Sequence, residues 1–267
     1  MIDNPRSHRV RAVAKLAKRD ARSETGLFLL EGPQAVAEAL TFRPELLVEL
    51  FATPTALERR PDIAQKAKDA DIVIEFGTEQ VLDNMADTVT PQGIVAVCRQ
   101  FPAALKDILG AEPKLIAILE EVRDPGNAGT IIRAADAAGA DAVILTGRSV
   151  DLYNPKVVRA TTGSLFHIPV AIDLDLESVA EKTKAAGLQV IAADIKGADL
   201  LAARKAGALA SPTAWLFGNE ARGLSDEHYG LADWVITVPI YGHAESMNLA
   251  TAASVCLYES AFAQRSA

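Results

Sequence analysis

The stretch LIAILEEVRDPGNAGTIIRAADAAGADAVILT (115–146) decides the fold. LIAILEEV (115–122) is a short apolar run that reads as a buried strand. The loop DPGNAG follows it and opens an alanine-rich helix that stops at Gly139. ADAVILT (140–146) is a second strand. A strand, a crossover helix and another strand make the unit from which parallel sheets are built.

Downstream, IPVAI (168–172), LQVIAAD (188–194), AWLFG (214–218) and WVITVPI (234–240) read as further strands. A long helix with an apolar face follows, from about Ser246 to Phe262. Upstream, RQFPAALKDILGAEPKL (99–115) carries Pro102, Gly110 and Pro113 and breaks the alternation, which marks a linker. Before it, RVRAVAKLAKRDA (9–21) sets Val10, Val13, Leu16 and Ala17 on one helical face. GLFLLEG, ELLVELFAT, DIVIEF and GIVAVC are strands, and PQAVAEAL is a helix with Pro33 in its first turn. The expected plan is therefore α/β: a small domain over 1–98, a linker over 99–113, and a parallel-sheet domain over 114–267.

Composition narrows the class. Apolar residues make up 49% and charged residues 23%, as in ordinary globular proteins. No apolar run reaches the roughly 20 residues of a membrane helix. The basic N-terminus has no apolar signal core behind it, so a cytoplasmic protein is expected. Cys98 and Cys256 lie far apart in apolar surroundings and fit no metal-ligand spacing, so no metal is expected. The net charge of −8 excludes a protein that coats nucleic acid. Yet residues 1–22 hold seven basic groups (Arg6, Arg9, Arg11, Lys15, Lys18, Arg19, Arg22) against Asp3 and Asp20. A basic arm on an acidic body suits a local polyanion contact, and equally a solvated helix face.

Three loops carry the candidate chemistry, each at the C-terminal end of an expected parallel strand, where open α/β sheets bind ligands. The first, DPGNAGTIIR (124–133), places Asn127 to cap the helix, with Arg133 on the face of Gly129 and Asp136. It is no GxGxxG loop, which excludes a nicotinamide enzyme. The second, LFGNEARGLS (216–225), puts Asn219 and Glu220 directly after an apolar strand, and such groups are costly to bury unless they bind something. Ser225 is set to cap the next short helix. The third, VPIYGHAESMNLATA (238–252), brings Ser246 as a helix cap and Asn248 with no simple structural reason.

The strings NAGTIIR, FGNEARG and VPI…ESMNLA resemble, in order and spacing, the three signature motifs of the SpoU (TrmH-like) family of RNA ribose methyltransferases. EGPQAVAEAL and TPQGIVAV resemble that family's substrate-binding domain, which is akin to a small ribosomal protein. Met247 stands where the family usually has Leu, and Ala250 where a second small hydroxyl residue is common. The resemblance implies a trefoil-knotted parallel sheet, S-adenosylmethionine as methyl donor, and a homodimer. It implies a donor site at Gly218, Val238 and Met247, with Asn219 and Ile240 nearby. It also implies a catalytic set of Arg133, Asn127, Glu220, Ser246 and Asn248. The substrate it implies is structured RNA, ribosomal before transfer RNA, and the basic N-terminal segment with Arg9, Arg11, Lys15, Lys18 and Arg22 is expected to supply the phosphate contacts. The alternative is a catalytically silent RNA-binding protein, against which the intact polar sets argue.

Overall fold

The structure is a computed structural model and describes residues 1–266. Ala267, the last residue of the expected second domain, lies outside the described residues. The chain forms two compact units, Met1–Phe101 with Asp151–His167, and Pro102–Val150 with Ile168–Ala267. No helix among the described residues is long and apolar enough to cross a membrane.

The first unit holds a four-stranded sheet of β1 (Leu27–Glu31), β2 (Leu47–Ala52), β3 (Ile74–Phe76) and β4 (Ile94–Arg99), in the order β1-β4-β2-β3. β4 is antiparallel to both its neighbours, and β2 and β3 are parallel. Val10, Val13 and Leu16 from the N-terminal segment pack with Leu29, Phe51, Met85, Val95 and Val97. The single helix expected over 9–21 is in fact two, His8–Lys15 and Arg19–Thr25. The Arg22 guanidinium explains the break. It donates to the carbonyls of Leu16 and Ala17, both at 2.8 Å, which a continuous helix would use for its own amides.

Residues 151–167 fold with this unit because its buried polar groups need them. Arg22, 2% exposed, binds Asp151 at 2.5 Å. Buried Glu31 on β1 takes Arg159 at 2.9 Å, and that guanidinium also reaches Asp87 at 3.0 Å. The Tyr153 ring lies 4.8 Å from that of Phe28.

The second unit is a six-stranded, wholly parallel sheet. Its strands are β5 (Leu115–Glu120), β6 (Ala142–Thr146), β7 (Val170–Leu174), β8 (Gln189–Asp199), β9 (Thr213–Phe217) and β10 (Trp234–Thr237), in the order β10-β8-β9-β5-β6-β7. Every residue of β5, β6 and β9 is buried, as strands covered on both faces require. The stretch 99–113 contains the helix Leu105–Gly110, whose Leu105 and Ile108 join this unit's core beside Val179 and Leu188. The chain runs outward from β5 through β6 and β7, then returns to build β8, β9 and β10 on the other side. β5 and β9 therefore flank the point where strand order reverses, and their C-terminal loops meet there.

Candidate active site

The helix Pro125–Ala138 follows β5. Its N-cap is Asp124, whose Oδ1 accepts the Asn127 amide at 2.8 Å. The sequence reading gave that role to Asn127. With Asp124 in place, the Asn127 side chain is free for other partners. The helix Leu249–Arg265 is likewise capped by Asn248, not by Ser246; Asn248 Oδ1 accepts from Ala250 N at 2.9 Å and Thr251 N at 3.2 Å. So Asn248 has the structural reason the sequence did not supply, and it has a second bond as well.

That second bond links the three motifs. Because Asn248 Oδ1 is committed to the cap, its Nδ2 faces outward and donates to Asn127 Oδ1 at 2.9 Å. Asn127 Nδ2 in turn donates to Glu220 Oε1 at 3.4 Å. The Glu220 carboxylate also accepts from Asp124 N at 3.0 Å and Arg123 N at 3.2 Å, in front of a helix N-terminus, where negative charge is favoured.

Glu220 is carried on a tight hairpin. Asn219 and Gly223 exchange backbone bonds at 3.2 and 2.8 Å. A side chain at Gly218 would put its Cβ 2.6 Å from the Gly223 backbone, so the hairpin itself demands glycine there. Asn219 Oδ1 holds the turn through Ala221 N and Arg222 N, and its Nδ2 donates to the Glu121 carbonyl at 2.8 Å. Ser225 caps the following short helix as expected.

Beside this network lies a cavity of about 150 Å³. Its walls include Phe217, Ile236, Val238, Ile240, Met247 and Leu249, with Asp194, Asn219, Glu220 and Ser246 supplying polar groups. Gly218 is buried behind the hairpin and does not line it. Four of the five expected donor-site residues thus share one cavity with Glu220 and Ser246. Asn127 and Asn248 reach it through Glu220. Arg133 stands apart: it is exposed, six residues along the helix from Asn127, and no described residue binds its guanidinium.

On the basic arm, Arg11, Lys15 and Lys18 are exposed. Arg9 is taken up by Glu49 at 2.5 Å and by Glu75, and those bonds raise its pKa against the opposing effect of burial. The expectation that Arg22 contacts RNA is corrected: a guanidinium 2% exposed and saturated by Asp151 and two carbonyls reaches no external phosphate.

Sequence reading missed Glu121, Arg123, Arg222 and Asp194. Glu121 adopts φ 50° and binds Arg222 at 2.5 Å and Arg123 at 3.3 Å, which ties the hairpin to the β5 loop. Asp194 directly follows the apolar part of β8. That is the same signal that singled out Glu220.

Residues 114–258 match the model of the SpoU rRNA Methylase family, and residues 29–104 match that for RNA 2′-O ribose methyltransferase substrate binding. The chain belongs to the SpoU rRNA Methylase family. It is 32% identical to the 23S rRNA (guanosine(2553)-2′-O)-methyltransferase RlmP of Bacillus subtilis, over 96% of this chain and 97% of that protein. The crystal structure of an AdoMet-bound rRNA methyltransferase from Sinorhizobium meliloti superposes with a TM-score of 0.83 at 32% identity, covering 97% of this chain and 96% of that one. AviRb from Streptomyces viridochromogenes in complex with AdoMet gives 0.83 at 28% identity, over 98% and 100% of the two chains.

Proposed function

We propose that this protein transfers a methyl group from S-adenosylmethionine to a ribose 2′-hydroxyl of 23S ribosomal RNA. The observation that carries the reading is the Asn248–Asn127–Glu220 hydrogen-bond chain, which joins three motifs distant in sequence at the edge of one cavity. The relatives named for 23S rRNA favour ribosomal RNA over transfer RNA, and the substrate-binding match over residues 29–104 supports an RNA substrate.

The residues present fit the donor. Apolar walls from Phe217, Ile236, Val238, Ile240 and Met247 suit an adenine ring, and the polar groups gather at the Glu220 side. When bound, S-adenosylmethionine supplies a methyl on a sulfonium sulfur. The residues of this chain then have three tasks. Asn127 and Ser246 orient the ribose hydroxyl, and such positioning is worth several kcal/mol of barrier. Asn248 and Glu220 fix the Asn127 amide, Glu220 as a positioning group that also accepts from Arg123 and Asp124. Arg133 grips an RNA phosphate and steadies the charge on the ribose oxygen as it takes the methyl from sulfur, while the hydroxyl proton leaves to solvent water. Arginine stays cationic in proteins, so it is a clamp and not a base. Arg133 is exposed and has no ion-pair partner among the described residues, which supports this role.

Arg11, Lys15 and Lys18 supply phosphate contacts in the first unit. The family plan adds a trefoil knot around residues 238–248, a homodimer and work in the cytoplasm. Ala253, Cys256 and Leu257 are buried within the chain, so a dimer face on the last helix would use the exposed Tyr258 and Phe262.

The test is labelled methyl transfer to ribosomal RNA from cells lacking this protein, with primer extension at low nucleotide concentration to locate the ribose. One new stop in 23S rRNA is expected. No incorporation into ribosomal RNA, or incorporation into transfer RNA alone, overturns the substrate; incorporation into a base overturns the reaction. Arg133→Lys with turnover and RNA affinity both intact removes the clamp.

A further inference from the structure

β8 does not run straight past β10. Its register shifts after Ala192 paired with Val235, and pairing resumes only at Ala198 with Ile236. Residues 193–197 therefore leave the ladder as an excursion, and three of them, Ala193, Asp194 and Ile195, form a wall of the donor cavity. Gly197 brings the chain back. A Cβ there would lie 2.5 Å from the Ile236 backbone, so the excursion closes against β10 only with glycine.

The excursion holds Asp194 in place. Its Oδ1 accepts the Lys196 amide at 3.0 Å. Tyr229 lies near the same carboxylate, and burial together with the Asp194 charge pushes its hydroxyl up to about 12. Asp194 is half-buried and has no ion-pair partner among the described residues. The other charged group on the cavity wall is Glu220, and no Lys, Arg or His is among the lining residues. A wall whose formal charges are all negative favours a cationic ligand, because neither carboxylate is paired with a cation there.

We propose that Asp194 makes this cavity discriminate by ligand charge, binding the cationic sulfonium donor more tightly than the neutral thioether left after methyl transfer. This rests on the cavity being the donor site. S-Adenosylmethionine and S-adenosylhomocysteine share the adenosine and the amino-acid zwitterion and differ by one methyl and its positive charge. A carboxylate that only bound the ribose hydroxyls would serve both equally. One that acts through charge favours the donor and weakens its hold as the sulfonium becomes neutral, which speeds product release.

Titration calorimetry of the whole protein with both ligands tests this. Asp194→Asn, which keeps the shape, should lose about fivefold in S-adenosylmethionine affinity, the size of one screened charge pair, and change less than about twofold for S-adenosylhomocysteine. Asp194→Glu should keep the preference, which also controls for misfolding of the amide variant. Equal losses for both ligands, or an unchanged ratio in Asp194→Asn, overturn the proposal. A wild-type protein that binds neither ligand overturns the donor-site reading instead.

Discussion

Asn248 Nδ2 donates to Asn127 Oδ1 at 2.9 Å across 121 residues of chain, while Asn248 Oδ1 caps the helix on which it sits. One side chain thus starts a helix and orients the Asn127 amide, and its two ends are separable. Asn248→Asp keeps an oxygen for the cap but sets a second acceptor against Asn127 Oδ1. Its melting temperature should stay near wild type while methyl transfer falls at least tenfold. Asn248→Ala should lose both, with a stability cost of about 1 kcal/mol from the cap. Full activity in Asn248→Asp would show that the Asn127 contact is incidental.

Glu121 offers a sharper separation. Its φ of 50° is a left-handed conformation that costs a non-glycine residue roughly 1–2 kcal/mol. Its carboxylate nonetheless ties Arg222 and Arg123 to the β5 loop. Glu121→Gly relieves the backbone and removes the clasp. Since exposed ion pairs are worth about 0–1 kcal/mol, urea unfolding should show stability held within about 1 kcal/mol. Turnover should drop several-fold, because the hairpin bearing Glu220 loses its tether. Unchanged turnover would make the clasp dispensable.

Arg22 and its basic neighbours should part company. Arg22→Ala strands Asp151 and two carbonyls around a buried site, and we expect a loss of about 3 kcal/mol in chemical denaturation. Replacing Arg11, Lys15 and Lys18 together should leave stability within about 0.5 kcal/mol, weaken RNA binding and flatten its salt dependence. RNA affinity that is indifferent to the triple replacement would move the contact elsewhere.

Alkali should loosen the second unit through a buried thiol. Burial pushes Cys256 from 9.0 up to about 12, with the Glu259 charge adding to it. Below the ordinary thiol range both folded and unfolded chains keep the proton, so this contribution to stability is complete. As pH rises beyond it, the unfolded chain releases a proton that the folded chain retains, and stability falls until the folded thiol also ionises. Urea midpoints measured from about pH 8 to about pH 11 should therefore fall less steeply in Cys256→Ala than in the wild type. Parallel slopes would place the alkaline sensitivity in other groups.

Local sequence determined the strands and most helices of this protein. The βαβ unit at 115–146 and the later apolar runs appear where periodicity puts them, because burial on both faces leaves a continuous apolar signature. It also singled out Glu220, as a polar group after an apolar strand, and the motif resemblance added Asn127, Ser246 and Asn248. Tertiary structure alone decided which partners. The cap on each site helix went to a neighbouring residue, Asp124 for Asn127 and Asn248 for Ser246, because hydrogen-bond direction depends on what lies across the cleft. Arg22 became a buried strut when Asp151 came from far along the chain, and Asp194 joined the cavity only because β8 slips its register against β10. Periodicity is a property of neighbours in sequence; charge pairing and register are set by neighbours in space.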